Sequence, residues 1–198
     1  MYPDSIKNLI ESFKFLPGIG EKTAERLAFS ILDLEEEQVE MFSSSINEAF
    51  TKIHNCSICN VLTDNELCSI CNDLTRKANI LCVVEDSKTV FLFEKLGIFT
   101  GKYHVLDGLI SPLDGINPED IGLNKLLDRI NSEKYDEIIF AFKPSIEGET
   151  TALYIKKILD GLNIKITRLA SGVPIGADIE YVDSLTLERA LNDRKNIE

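Results

Sequence analysis

The chain has 198 residues, 44% hydrophobic and 27% charged, enough apolar material to bury the core of one large domain or two small ones. Its 33 acidic against 21 basic residues give a formal net charge of −12, which excludes a broad basic surface that wraps nucleic acid. No apolar run reaches membrane-spanning length, and the start MYPDSIKNLIESF carries acids and no basic n-region, so neither a membrane span nor a secretory leader is expected and the expected location is cytoplasmic.

Ile6, Leu9, Ile10 and Phe13 recur at helical spacing, with Asp4 or Ser5 as the cap. The stretch Leu16-Pro17-Gly18-Ile19-Gly20 cannot continue that helix. A second helix comes next, with Ala24, Leu27, Ala28 and Ile31 on one face. This is the helix-hairpin-helix pattern. Gly18 and Gly20 let the backbone turn at positive φ and bring amides close to a ligand. The N-terminus of the second helix adds partial positive charge, which suits a phosphate. Lys22 and Arg26 are four apart and share a face. Such a site reads phosphate rather than base sequence. An ordinary αα-hairpin with a glycine turn is the competing reading. LPGIGEKTAERLAF matches the DNA-binding pattern at Pro17, both glycines, Ile19 and Thr23-Ala24. Glu21 and Glu25 flank the basic pair and weaken it. Residues 31–75 hold nine acids and one base, Lys52, so a DNA contact is expected to be local, salt-sensitive and multiplied by oligomerisation.

Asp33 is expected to cap a third helix, with Glu35, Glu36 and Glu37 suiting its dipole. Val39, Phe42, Ile46, Ala49, Phe50 and Ile53 form its apolar stripe, either core or a surface for a partner helix. This helix delivers the chain to CSICNVLTDNELCSIC. Cys56 and Cys59 form one Cys-x-x-Cys pair and Cys68 and Cys71 a second, eight residues on. Two such pairs close a tetrahedron of thiolates, the geometry of a structural zinc site with no open position for water or substrate. Two disulfides would need an oxidising compartment, and a redox Cys-x-x-Cys does not come as two pairs. His54 is read as a surface histidine and Cys82 as a buried core thiol. The knuckle is expected to join the helical segment to an alternating strand and helix segment.

From residue 79 the period changes. Ile80–Val84 is a continuous apolar run, as in a strand buried on both faces. Val90, Phe93 and Leu96 are helical, and Tyr103–Leu106 is a second strand. Gly108–Gly115 is a loop, and Pro118 is expected to open a helix through Leu123, Leu126, Leu127 and Ile130. Ile138–Phe142 and Ile164–Leu169 are further strands, separated by a helix with Ala152, Ile155, Leu159 and Leu162. The rhythm implies a mostly parallel sheet with helices on both faces.

In such folds ligands meet the C-terminal ends of strands. Glu85 ends the first strand, and Lys143-Pro144-Ser145-Ile146-Glu147-Gly148-Glu149 ends the third. The arrangement resembles the Toprim domain of topoisomerases and primases, whose catalytic members place a glutamate after the first strand and Asp-x-Asp ahead of Glu-Gly-Glu. Here Lys143 and Ser145 stand where both aspartates would be, and an ammonium repels the metal they would hold. The competing reading of Glu85 and Glu147 is plain helix-start carboxylates.

The ordered set resembles the bacterial RecR recombination family over essentially the whole chain: helix-hairpin-helix, four-cysteine knuckle, degenerate Toprim domain. VLDGLISPLDGI at 105–116 and SGVPIGADIEYVDSLTLERAL at 171–191 also match, the latter with a Walker-B-like Gly176–Tyr181 segment. The expected architecture is a multi-module α+β/α/β chain. It comprises a helix-hairpin-helix module (1–54), a four-cysteine zinc finger (55–72), a Toprim domain (79–174) and a Walker-B-like C-terminal segment (175–198). The resemblance implies a mediator without enzymatic activity that works with RecO and RecF at gapped DNA and helps RecA replace single-strand-binding protein. It implies ring-like homotetramers formed through the N-terminal helices and the C-terminal tail, sequence-independent contact with double-stranded, gapped or junction DNA, and a cytoplasmic, nucleoid-associated location. By position, Lys22 and Arg26 with Gly18 and Gly20 fall on the DNA contact, Cys56, Cys59, Cys68 and Cys71 on the zinc ligands, and Glu85 and Glu147 on the partner-binding acidic site. The chain departs from the family pattern at Lys143, where Asn is usual, and at Ser171, where His is usual. No Gly-Lys-Ser/Thr phosphate loop accompanies the Walker-B-like segment, so ATP hydrolysis is not expected. A second reading is an adaptor that binds DNA only through its partners, with the acidic 31–75 region meeting a basic surface.

Overall fold

The N-terminal apolar periodicity becomes three helices, α1 (Asp4–Lys14), α2 (Glu21–Leu32) and α3 (Glu36–Lys52), in the computed structural model, which describes residues 2–170 and 172–194. Ile10, Ala24 and Ala28 are buried where α1 meets α2, with Ile6, Leu9, Phe13 and Ile19 packed around them. Two alanines at the contact leave room for the helix axes to approach. The turn between the helices needs a residue at positive φ, and Gly18 supplies it at φ 84°.

Asp33 closes α2 as its C-cap and does not open α3. The N-cap of α3 is Glu35, whose backbone N–H donates to Gln38 Oε1 at 3.1 Å. Gln three positions on supplies the reciprocal bond of a capping box, and this outcompetes Asp33. The stripe on α3 is not core of this unit: α3 buries none of its residues, and Met41, Phe42, Ile46 and Phe50 are exposed.

The chain separates into two units between Ile53 and His54. The second begins with a short antiparallel pair, β1 (His54–Asn55) and β2 (Leu62–Thr63), and a single helical turn, α4 (Ser69–Asn72). Then come β3 (Lys77–Val84), α5 (Ser87–Leu96), β4 (Gly101–Val105), α6 (Leu123–Ser132), β5 (Glu137–Ala141), α7 (Ile146–Ile158), β6 (Lys165–Arg168) and α8 (Ser184–Asn192). The four long strands form one parallel sheet in the order β4-β3-β5-β6, with Cys82 of β3 level with Tyr103 and Ile139. The expected four strands and parallel sheet are present.

Alternation along β3 sends Leu81 and Val83 to one face and Cys82 and Val84 to the other. The first face packs on Leu123, Leu126 and Ile130 of α6 and Ile155 of α7. The second packs on Val90 of α5 and on Cys56, Cys59, Val61, Cys68 and Ile70. The four-cysteine knuckle therefore shares a core with the sheet and covers part of one face, where the sequence suggested a link between modules. Burying each Val, Leu or Ile here contributes about 1.5–3 kcal/mol. Cys82 is a core thiol, 1% exposed, and burial pushes it up to about 12.

Pro118 does not open α6. The helix begins at Leu123, after Gly122 turns the chain at φ 67°; a left-handed residue cannot lie inside a right-handed helix. After β6 the Gly176–Tyr181 stretch is exposed and runs through a turn into a single 3-10 turn, and Asp183 then caps α8 by accepting the Thr186 N–H at 2.9 Å. Ser171 lies outside the described residues. No helix among the described residues is long and apolar enough to cross a membrane.

His104 on β4 is 1% exposed, and its Nδ1 is buried without a hydrogen-bond partner among the described residues. Burial, then Arg129 and Lys125 on α6, push its pKa down to about 3. The unfolded chain therefore binds a proton that the folded chain refuses between about pH 6.5 and 3. Stability from this group is complete above the unfolded value and is lost as pH falls through that window, by about 2 kcal/mol at about pH 5. Thermal unfolding followed from pH 7 to 5 should show a shallower acid loss for His104→Leu than for the unsubstituted chain. Equal slopes refute the assignment.

Candidate metal centre, hairpin and sheet-end pocket

The Cys56, Cys59, Cys68 and Cys71 sulfurs all lie within 4.8 Å of one another, and three of the four residues are buried. A tetrahedral zinc with Zn–S near 2.3 Å needs sulfurs about 3.8 Å apart, and Cys59 and Cys68 Sγ stand at 3.4 Å. Backbone amides point at the sulfurs: Cys68 N–H donates to Cys56 Sγ and Cys71 N–H to Cys68 Sγ, each at 3.4 Å. Four thiols in one place cannot all ionise by themselves. Hydrogen bonding from Cys59, then Cys71, draws the Cys68 thiol down, and Cys59, the partner that keeps the proton, is pushed up. A dication lets every ligand ionise, so this donor set fits zinc and leaves no open position. Lys102 Nζ holds α4 from outside by donating to the Ile70 and Asp73 carbonyls, each at 2.9 Å. His54 is exposed and stands outside the cluster.

In the first unit the N-terminus of α2 is bare. Its N-cap is Gly20, extended at φ −87° with no capping side chain, and a Cβ placed on Gly18 or Gly20 would meet nothing within 4 Å. The glycines are thus not needed for packing room; they leave the backbone approachable. Lys22 and Arg26 are exposed on α2 with no ion pair among the described residues. Lys14 reaches both Glu11 at 2.8 Å and Glu21 at 2.7 Å, and these two acids raise its pKa. One of the two acids flanking the basic pair is therefore already engaged by a neighbour's cation.

At the C-terminal end of the sheet, Glu85 after β3 and Glu147 in the first turn of α7 line one open pocket of about 490 Å³, together with Asp86, Asp114 and Lys143. It lies where the chain order reverses across β3, the position at which α/β sheets bind ligands. Glu85 Oε2 is buried without a hydrogen-bond partner among the described residues. The Ser145 hydroxyl, and to a lesser degree Lys143, hold the Glu147 carboxyl below its usual range. Ser145 is the N-cap of α7, accepting the Gly148 N–H at 3.2 Å. Gly148 is obligatory, because a Cβ there would stand 2.2 Å from the Lys143 carbonyl oxygen. Glu149 leaves the pocket and forks onto Arg168 at 2.7 and 2.8 Å. Sequence reasoning passed over Asn60. Its left-handed backbone, φ 64°, is a role that Asn fills often, and that preference was the available signal.

Family models match in chain order: the RecR helix-hairpin-helix over residues 6–50, the RecR four-cysteine zinc finger domain over 53–73, the Toprim domain over 79–170 and the RecR C-terminal region over 172–195. The chain is 46% identical over 196 residues to a protein named Recombination protein RecR from Natranaerobius thermophilus, covering 99% of this chain and 98% of that one. Proteins of the same name from Staphylococcus aureus (strain Mu3) and Staphylococcus haemolyticus are 46% and 47% identical over 193 residues, 98% of each chain. The zinc-finger match coincides with the cysteine cluster, and the centre is a structural Zn2+ site.

Zinc bound to such a site is worth about 10–16 kcal/mol in isolated fingers, as much as a whole domain's net stability. Cys59→Ala should therefore lose its zinc, read by metal analysis, and lose protection from proteolysis across 54–73. A variant that keeps its zinc and its melting temperature contradicts the assignment.

Proposed function

The chain belongs to the RecR family, and from that membership we propose that it is a DNA-binding recombination mediator with no chemistry of its own, acting with RecO and RecF at gapped DNA to help load RecA. The observation that carries the DNA reading is the bare, glycine-turned N-terminus of α2 with Lys22 and Arg26 exposed beside it. Open amides and a pair of exposed cations at one helix start bind phosphate without reading base sequence. In a chain of net charge −12 such a site is weak alone. A tetrameric ring that repeats it around DNA supplies the avidity. The uncovered apolar side chains of α3 are available to such an assembly.

The sheet-end pocket supports docking in place of catalysis. Four carboxylates, Glu85, Asp86, Asp114 and Glu147, share it with the Lys143 ammonium, and Glu149 is committed to Arg168. An ammonium among the acids disfavours a divalent cation, and an acidic depression of this size accepts a basic surface of RecO or RecF. The adaptor reading, in which the chain meets DNA only through such partners, draws on the same pocket. The proposed modules are the hairpin at 1–54, the zinc finger at 55–72, the Toprim domain at 79–174 and the tail at 175–198, in a cytoplasmic, nucleoid-associated protein.

Each phosphate contact contributes about 0.9 to the slope of log affinity against log salt. Lys22→Ala with Arg26→Ala should flatten that slope by about 2 per engaged protomer and weaken gapped-DNA binding on the order of tenfold or more at low salt. Fluorescence anisotropy with a denaturing gel at the endpoint reads both affinity and cutting. Unchanged affinity in the double variant sinks the hairpin contact, and magnesium-dependent cutting sinks the non-enzymatic reading. Glu85→Gln with Glu147→Gln should weaken RecO binding about tenfold while DNA affinity holds.

A further inference from the structure

One side chain fastens the turn of the first cysteine pair to the loop that walls the sheet-end pocket. Asn60 follows Cys59, is 6% exposed, and is the one non-glycine residue at positive φ among the described residues. Its left-handed backbone brings the chain round so that Cys56 N–H donates to the Val61 carbonyl at 2.8 Å and Asn60 N–H to the Cys56 carbonyl at 3.0 Å. Glycine would make this turn with less strain, so an asparagine here brings something glycine lacks. Its Nδ2 donates to the Val105 carbonyl at 3.0 Å and to Asp107 Oδ1 at 2.7 Å. Beside it, Val105 N–H donates to the Cys59 carbonyl at 2.8 Å.

Asp107 is held from its other side as well. Its N–H donates to the Ile121 carbonyl at 3.1 Å, and its Oδ2 would stand 2.8 Å from a Cβ on Gly122, the N-cap of α6. The carboxylate thus lies between the knuckle turn, whose Asn60 holds it, and the start of α6. Past it in the chain, Gly108, Leu109 and Ser111 form one wall of the pocket that holds Glu85 and Glu147, yet no cysteine lines that pocket.

We propose that Asn60 and Asp107 form a latch by which the zinc knuckle positions the pocket wall, making Asn60 a positioning residue for partner docking. This rests on the reading that the pocket docks a basic partner surface. The bond to the Val105 carbonyl is buried, and the half-buried one to Asp107 is charge-assisted, the stronger class. Without them the 107–111 loop keeps its anchor to Ile121 and the bond from Ile110 N–H to Thr151 Oγ1 at 2.8 Å, but loses its tie to the knuckle.

Asn60→Gly is the decisive variant, because glycine keeps the left-handed turn and removes only the amide. It should retain its zinc, speed amide hydrogen exchange over residues 107–111 about tenfold and weaken RecO binding about five- to tenfold. Asp107→Asn keeps an acceptor and should behave like the unsubstituted chain; Asp107→Ala should match Asn60→Gly, and the two together should be no worse than either alone. Unchanged exchange in Asn60→Gly, or a double variant that sums its two singles, overturns the latch. Should Asn60→Gly lose zinc, Asp107→Ala, outside the cysteine turn, carries the same test. If the Glu85 and Glu147 variants weaken RecO binding and Asn60→Gly does not, the latch fails and the docking reading stands. If Asn60→Gly speeds exchange while the glutamate variants leave RecO binding intact, the docking reading fails and the latch survives as a tie between knuckle and loop.

Discussion

Strand β3 is paired on both edges, its half at 81–84 is buried on both faces, and the second unit is arranged around that constraint. A strand in this position has no solvent side, so each face must be covered by something apolar. α6 and α7 cover one face. On the other, α5 shares the work with the cysteine knuckle, whose Cys56, Cys59, Val61 and Ile70 pack with Cys82 and Val84. Zinc is therefore bound in a layer of the core, and its loss would uncover part of the sheet.

The edge strand β4 makes the same point through hydrogen bonds. An edge strand has unpaired backbone groups. Here several are taken by the knuckle and by buried side chains. Val105 N–H goes to the Cys59 carbonyl, the Val105 carbonyl to Asn60, the Tyr103 carbonyl to Arg129 and the Gly101 carbonyl to Arg76. Arg76 also pairs with Glu94, which accepts the Tyr103 hydroxyl at 2.8 Å. Each of these cations is held by an acid or carbonyl, which is how charge survives near a core.

The two candidate surfaces rest on opposite electrostatics. At the α2 N-terminus, helix dipole, bare amides, Lys22 and Arg26 all favour an anion. At the sheet end, Glu85, Asp86, Asp114 and Glu147 outnumber Lys143 and favour a cationic surface. The overall acidity of the chain disfavours nucleic acid everywhere except where local charge is reversed. Lys14 takes part in that reversal by engaging Glu21.

Much of this was legible from local spacing. Two Cys-x-x-Cys pairs set where four sulfurs can meet, because each pair grips from one tight turn. Pro17, Gly18 and Gly20 dictate a hairpin and an exposed helix start, and the apolar runs mark four strands, since periodicity is a property of neighbouring residues. Other features depended on contacts that no period marks. Gln38 placed the start of α3, and Gly122 moved the start of α6 away from Pro118. Glu149, one residue beyond Gly148, turned to Arg168, 19 positions on, and left Glu147 in the pocket. Asn60 met Asp107 across 47 positions. The sequence by itself determined the local chemistry: a zinc-type thiolate set, a glycine-turned helical hairpin and the apolar runs that become strands, each built from residues close in the chain. Only the tertiary structure decided that the knuckle covers the sheet, which acids share the pocket, and what the amide of Asn60 holds, because the long-range pairing that sets these contacts leaves no period in the sequence.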